Sequence, residues 1–127
     1  MIFIIIQVAI GGAAGAVSRY LTSVAFERVV GTDFPYATMA VNVGGSFLLG
    51  VVFVLLGGLN GDAARLGPLI MVGFLGGFTT FSTYSLDGWI LFQNGRITEA
   101  LLYIFGSVFL SLTAIVAGIF LTRFLHN

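Results

Sequence analysis

Residues 73–85 read Gly73-Phe74-Leu75-Gly76-Gly77-Phe78-Thr79-Thr80-Phe81-Ser82-Thr83-Tyr84-Ser85. The run lies in a stretch with no charge between Arg65 and Asp87. That stretch is long enough to cross a bilayer, which takes about 20 apolar residues. Yet two adjacent glycines are followed closely by Thr79, Thr80, Ser82, Thr83 and Ser85. Glycine loosens a helix, and Ser and Thr compete for its backbone hydrogen bonds. The reading is a membrane helix broken near Gly76-Gly77. Irregular backbone at membrane depth is tolerated only inside protein or beside a wet cavity. Such breaks commonly build ion sites, because freed carbonyls and amides point inward.

Working outward, four segments are apolar enough to span: residues 2–26 with Arg19 inside, 36–59, 66–92 with Asp87 late, and 100–122. The 127 residues are 58% hydrophobic and 8% charged, against about 25% charged in soluble domains. Such a chain cannot cover its surface with polar groups, so lipid is its solvent. The expected fold class is an all-α membrane protein with four transmembrane helices, the third broken near its centre, forming a single four-span domain over residues 1–127. The N-terminal stretch lacks a positive n-region and reads as the first span rather than a signal peptide. The connections carry loop punctuation: Gly31, Asp33 and Pro35; Asn60, Gly61, Asp62 and Arg65; Gln93, Asn94, Gly95 and Arg96. Gly11/Gly15 and Gly73/Gly77 are spaced for close helix approach in lipid.

Composition removes several classes of chemistry. With no Cys, disulfides and thiolate sites are excluded. One histidine, His126, cannot form a histidine metal cluster within a chain. Five arginines balance five acids, so there is no basic patch for nucleic acid. No nucleophile–base pair is visible, and no enzyme is expected.

Four spans put Arg65 and Arg123 on one side and Arg28 and Arg96 on the other, with Arg19 near the second group. Orientation follows an excess of Lys and Arg on one side, and here there is almost none. Either a weak bias selects one orientation, or both occur and opposite copies pair as an antiparallel dual-topology homodimer.

Polar residues mark three spans. Thr38, Asn42 and Ser46 are one turn apart, and so are Tyr103, Ser107 and Ser111. Phe81 and Tyr84 share a face. Each has a plain structural reading: Ser and Thr bonding their own backbone, Asn joining helices, aromatics packing. Together, with no acid or base at the centre of a span, they fit a path of neutral hydrogen-bond donors.

The run at 73–85 closely resembles the signature of the Fluc (CrcB) fluoride channels. Gly11-Gly12-Ala13-Ala14-Gly15-Ala16-Val17-Ser18-Arg19-Tyr20 and Thr38-Met39-Ala40-Val41-Asn42-Val43-Gly44-Gly45-Ser46 resemble its first- and second-span motifs. The resemblance implies a dual-topology homodimer in the inner (cytoplasmic) membrane, with two fluoride pores. It implies a central structural sodium ion, Na+, held by main-chain carbonyls of Gly76 and Thr79. It places Asn42, Phe81, Tyr84, Thr38, Ser82, Thr83, Tyr103, Ser107 and Ser111 along the pore and Arg19 in its vestibule. Tyr84 stands where the family has a second phenylalanine, which adds a hydroxyl. An acidic position after the signature matches Asp87. The implied partners are fluoride, lipid and a second copy of the chain.

The chemistry is coherent with that implication. Fluoride holds its water tightly, and amide, hydroxyl and aromatic-edge donors can replace it. Neutral donors do not trap an ion that must leave again. The rival is a proton-coupled small multidrug exporter of similar size and topology. That chemistry needs a membrane-embedded carboxylate; span one has none before Glu27 at its end, and Asp87 lies late in span three.

Overall fold

The computed structural model describes residues 1–58 and 64–126. Leu59 and the loop residues Asn60, Gly61 and Asp62 lie outside the described residues. The chain folds into α1 (Ile2–Val30) and α2 (Tyr36–Gly57), then a 3-10 turn at Ala64–Leu66. Next comes α3, a π-wound segment Pro68–Leu75 running into one α turn, Gly76–Phe78. It is followed by α4 (Phe81–Gln93) and α5 (Ile97–His126). Counting α3 and α4 as one span, four helical stretches are long and apolar enough to cross a membrane. The protein is a multi-pass helical membrane protein with its third span bent, as expected.

The helices run past the apolar stretches. α1 continues through Glu27 and Arg28 until Gly31, whose φ of 80° suits glycine and stops the helix. α5 starts at Ile97, with Glu99 in its first turn and Arg123 and His126 in its last. Arg28, Glu99 and Arg123 sit at the helix ends that favour their sign. Arg96 joins the two loops at this end. It donates to the Asp33 carbonyl at 2.6 Å and to Glu99 Oε1 at 2.8 Å, and it pairs with the Asp33 carboxylate at 3.2 Å. The bonds to Glu99, and then the charge of Asp33, raise the Arg96 pKa above its ordinary value.

Two helix pairings organise the bundle: α1 against α3, and α2 against α5, with α4 lying on α5. The first pairing is backbone on backbone. A Cβ placed on Gly73 would stand 2.9 Å from Gly11 Cα and 3.0 Å from Val8 O. One on Gly77 would stand 2.7 Å from Gly12 O. Small residues let helices approach closely in lipid, where dispersion rather than hydrophobic exclusion holds them.

The break in the third span is real but lies three residues later than the glycines imply. Gly76 is helical (φ −65°, ψ −36°), whereas Thr79 (ψ 156°) and Thr80 (φ −149°, ψ 119°) are extended. The physical reason is hydrogen-bond supply. A break frees backbone groups that need new partners. At Thr79–Thr80 side chains provide them, while Gly77 serves close contact with α1.

Candidate functional site

Asn42, from the middle of α2, closes the break. Its Nδ2 donates to the Thr80 carbonyl at 2.9 Å, and its Oδ1 accepts the Thr80 N–H at 2.7 Å. The Asn42 oxygen thus replaces the helical partner that the Thr80 N–H loses at the break, and its amide adds a bond to the Thr80 carbonyl, which as N-cap still starts the α4 ladder. Thr80 also caps α4: its Oγ1 accepts the Thr83 N–H at 3.2 Å and donates to Thr83 Oγ1 at 3.1 Å. Hydroxyl caps of this kind satisfy an otherwise orphan donor. Ser82 Oγ lies 3.4 Å from the same oxygen. Thr79 behaves differently, returning its hydroxyl to Leu75 O at 2.9 Å.

Two cavities flank this point. The larger, about 360 Å³, gathers Asn42, Phe81, Tyr84, Ser107 and Ser111 with Gly76 and Thr79. The smaller, about 220 Å³, holds Arg19, Thr38 and Thr83. Ser82 and Tyr103 line neither. Ser107 is 2% exposed, and its Oγ has no hydrogen-bond partner. A buried polar atom without a partner is costly, so this hydroxyl is a donor awaiting a ligand or water.

Other residues are already engaged. Tyr84 is buried, and its hydroxyl donates to Ile104 O on α5 at 2.9 Å. Its ring lies 5.3 Å from Phe81 and 5.4 Å from Tyr103. Thr38 and Tyr103 both donate to Asp87 Oδ2, at 2.7 and 3.2 Å. An acid within a membrane span needs such partners. Arg19 Nη1 makes a long contact, 3.4 Å, to the Thr79 carbonyl.

Phe81 is different again, being 76% exposed on the single chain. Ser82, Thr83 and Ser85 are exposed beside it. Ser85 returns its hydroxyl to Phe81 O at 2.9 Å, as a lone membrane serine ordinarily does.

Sequence reasoning missed two residues. Thr80 was marked only by standing in the hydroxyl run; its position as an α4 N-cap is a readable signal that went unused. Asp87 was noticed without a role. Its partners lie 49 and 16 residues away, and nothing local announces them. Among the described residues no cluster of His, Cys, Asp or Glu could hold a metal. A cation site here would therefore rest on carbonyl oxygens.

Residues 6–119 match the family described as CrcB-like protein, Camphor Resistance (CrcB). The chain is 51% identical over 119 residues to the fluoride-specific ion channel FluC of Hahella chejuensis, covering 94% of each chain. It is 48% identical over 123 residues to that of Cereibacter sphaeroides, covering 97% of each. It is 47% identical over 119 residues to that of Rhodospirillum centenum, covering 94% of each. Matching over nearly its whole length, and carrying the motifs at the break and on α1 and α2, the chain belongs to the CrcB family.

Proposed function

We propose that this protein is a fluoride-selective channel that lets the anion leave the cell passively across the inner membrane. The observation that carries the reading is the Ser107 hydroxyl, buried and unpartnered in a cavity it shares with Asn42, Ser111 and the Phe81 and Tyr84 rings. The names of the relatives supply the ion. An interior-negative membrane drives an anion out by about 2.3 kcal/mol per 100 mV. The remaining Asn42 N–H and the two serine hydroxyls offer neutral donors to an ion that has shed water.

The working unit in this reading is an antiparallel dual-topology homodimer. Its support is the outer face of α4, where Phe81, Ser82, Thr83 and Ser85 are exposed at membrane depth. Exposed hydroxyls there favour protein over lipid as the covering medium. A sodium ion at the dimer centre would be held by Gly76 and Thr79 carbonyls. The donor type fits: the Thr80 N–H goes to Asn42 rather than closing a turn on Gly76 O. One chain offers two such carbonyls, too few to enclose a cation, so the second copy completes the site. Arg19 competes for the Thr79 carbonyl, and sodium entry requires it to turn into the smaller cavity that it already lines. Bound there, the cation supplies fixed positive charge that favours anion entry.

Purified protein in liposomes loaded with potassium fluoride or chloride tests the reading. Fluoride should leave far faster than chloride with no imposed proton gradient. Equal chloride flux, or flux only with a proton gradient, refutes the channel and revives the exporter.

A further inference from the structure

We infer that Thr80 is the neck through which an anion passes between the two cavities, and that its side chain sets both passage and selectivity. The inference rests on the channel reading above. Among the described residues Thr80 is the one that lines both cavities, the 360 Å³ one beside Ser107 and the 220 Å³ one beside Arg19. It is 7% exposed, so it fills the partition rather than hanging over it. Its backbone is pinned on both sides by Asn42, at 2.7 and 2.9 Å. A clamped backbone cannot swing aside, which leaves the side chain to determine the opening.

The chemistry of that side chain suits an anion relay. Thr80 Oγ1 lies 3.1 Å from Thr83 Oγ1 and 3.4 Å from Ser82 Oγ. Three hydroxyls therefore meet at the neck. A hydroxyl proton rotates freely about its C–O bond. The Thr80 hydroxyl can turn from Thr83 to a passing anion while its oxygen still accepts the Thr83 N–H. The donors are neutral, so the anion is passed on rather than trapped. The Thr80 methyl adds bulk where the backbone is immovable, which narrows the neck against larger halides.

Two substitutions separate hydroxyl from methyl. Thr80→Val keeps the shape, and with it the Asn42 clamp on the backbone, but removes the donor. Thr80→Ser keeps the donor and the cap on α4 but removes the methyl. Both are purified, matched for assembly and thermal stability to the parent, and assayed in liposomes with fluoride and chloride electrodes. Thr80→Val should lose tenfold or more of fluoride flux. Thr80→Ser should keep fluoride flux within threefold and lower the fluoride-to-chloride ratio at least threefold. The inference is overturned if Thr80→Val conducts like the parent. It is equally overturned if Thr80→Ser leaves the ratio unchanged, a result that decides the matter even when the valine variant does not fold. A parent that releases no fluoride removes the channel reading and this inference with it.

Discussion

α3 and α4 belong to one membrane span and meet at Thr79–Thr80, yet different forces hold them. α3 lies with its backbone against α1, where Gly73 and Gly77 leave no room for a Cβ. α4 is fixed by side-chain hydrogen bonds: Asn42 to Thr80, Thr38 and Tyr103 to Asp87, and Tyr84 to Ile104. The difference teaches where each half tolerates change. α3 should be sensitive to volume and indifferent to polarity, and α4 the reverse. It also shows why the candidate pore lies at their junction. Only the hydrogen-bonded half carries polar groups that an ion can borrow.

The largest effect expected from this contrast is at Asn42. Asn42→Ala strands the Thr80 N–H, at about 1–3 kcal/mol for a buried unpaired group, and also removes the amide bond to the Thr80 carbonyl. The yield of folded protein in detergent should fall, and fluoride flux from the protein that remains should be near background. Parental stability and flux would show that the break supports itself and that α4 does not depend on this clamp.

Next comes a steric test of α3. Gly73→Ala forces a methyl to within 2.9 Å of Gly11 Cα. Overpacking of this kind costs about 1–3 kcal/mol. Gly12→Ala is the paired control, because its Cβ would come no nearer than 3.9 Å to Gly73 O. Thermal unfolding should place the first well below the parent and the second level with it. Equal behaviour of the two would mean that the glycine contact is not what holds α3.

A smaller effect is expected at the middle of α4. Asp87→Asn keeps an oxygen for Thr38 and Tyr103 but removes its charge. Hydrogen bonds to charged groups contribute about 1.5–3 kcal/mol and neutral ones about 0.5–1.5, so roughly 1–2 kcal/mol of stability should go. Asp87→Ala should lose more, since both hydroxyls are then orphaned. If the alanine variant is the milder, the carboxylate strains α4 instead of anchoring it.

Tyr84→Phe should be the mildest. It removes one bond to Ile104 O, about 0.5–1.5 kcal/mol, and leaves the ring beside Phe81. Flux at equal protein should stay within about threefold of the parent. A loss larger than that of Asp87→Asn would mean that the hydroxyl shapes the cavity as well as tying α4 to α5.

Much of this was legible in advance. The third span advertised its break through glycine and hydroxyl content, and the spaced pairs Gly11/Gly15 and Gly73/Gly77 advertised close helix contacts without saying which helices would meet. Spacing alone could place Asn42 on a polar stripe of one span and Ser107 and Ser111 on a polar stripe of another, but not that the two stripes meet. What spacing could not show is which of them were already occupied. Asn42 has one amide hydrogen and its oxygen committed to Thr80, Thr38 and Tyr103 are committed to Asp87, and the buried Ser107 hydroxyl has no hydrogen-bond partner among the described residues.

The sequence by itself determined that the chain lives in lipid, crosses it four times and interrupts its third crossing. Those features follow from local composition: apolar length sets a span, and glycine and hydroxyls weaken a helix. Only the tertiary structure decided that the interruption falls at Thr79–Thr80 rather than Gly76–Gly77, and that Thr80 stands between two cavities. The reason is that a break settles where its freed backbone groups find partners. The partner here is a side chain 38 residues away, brought within reach only when α2 and the third span pack together.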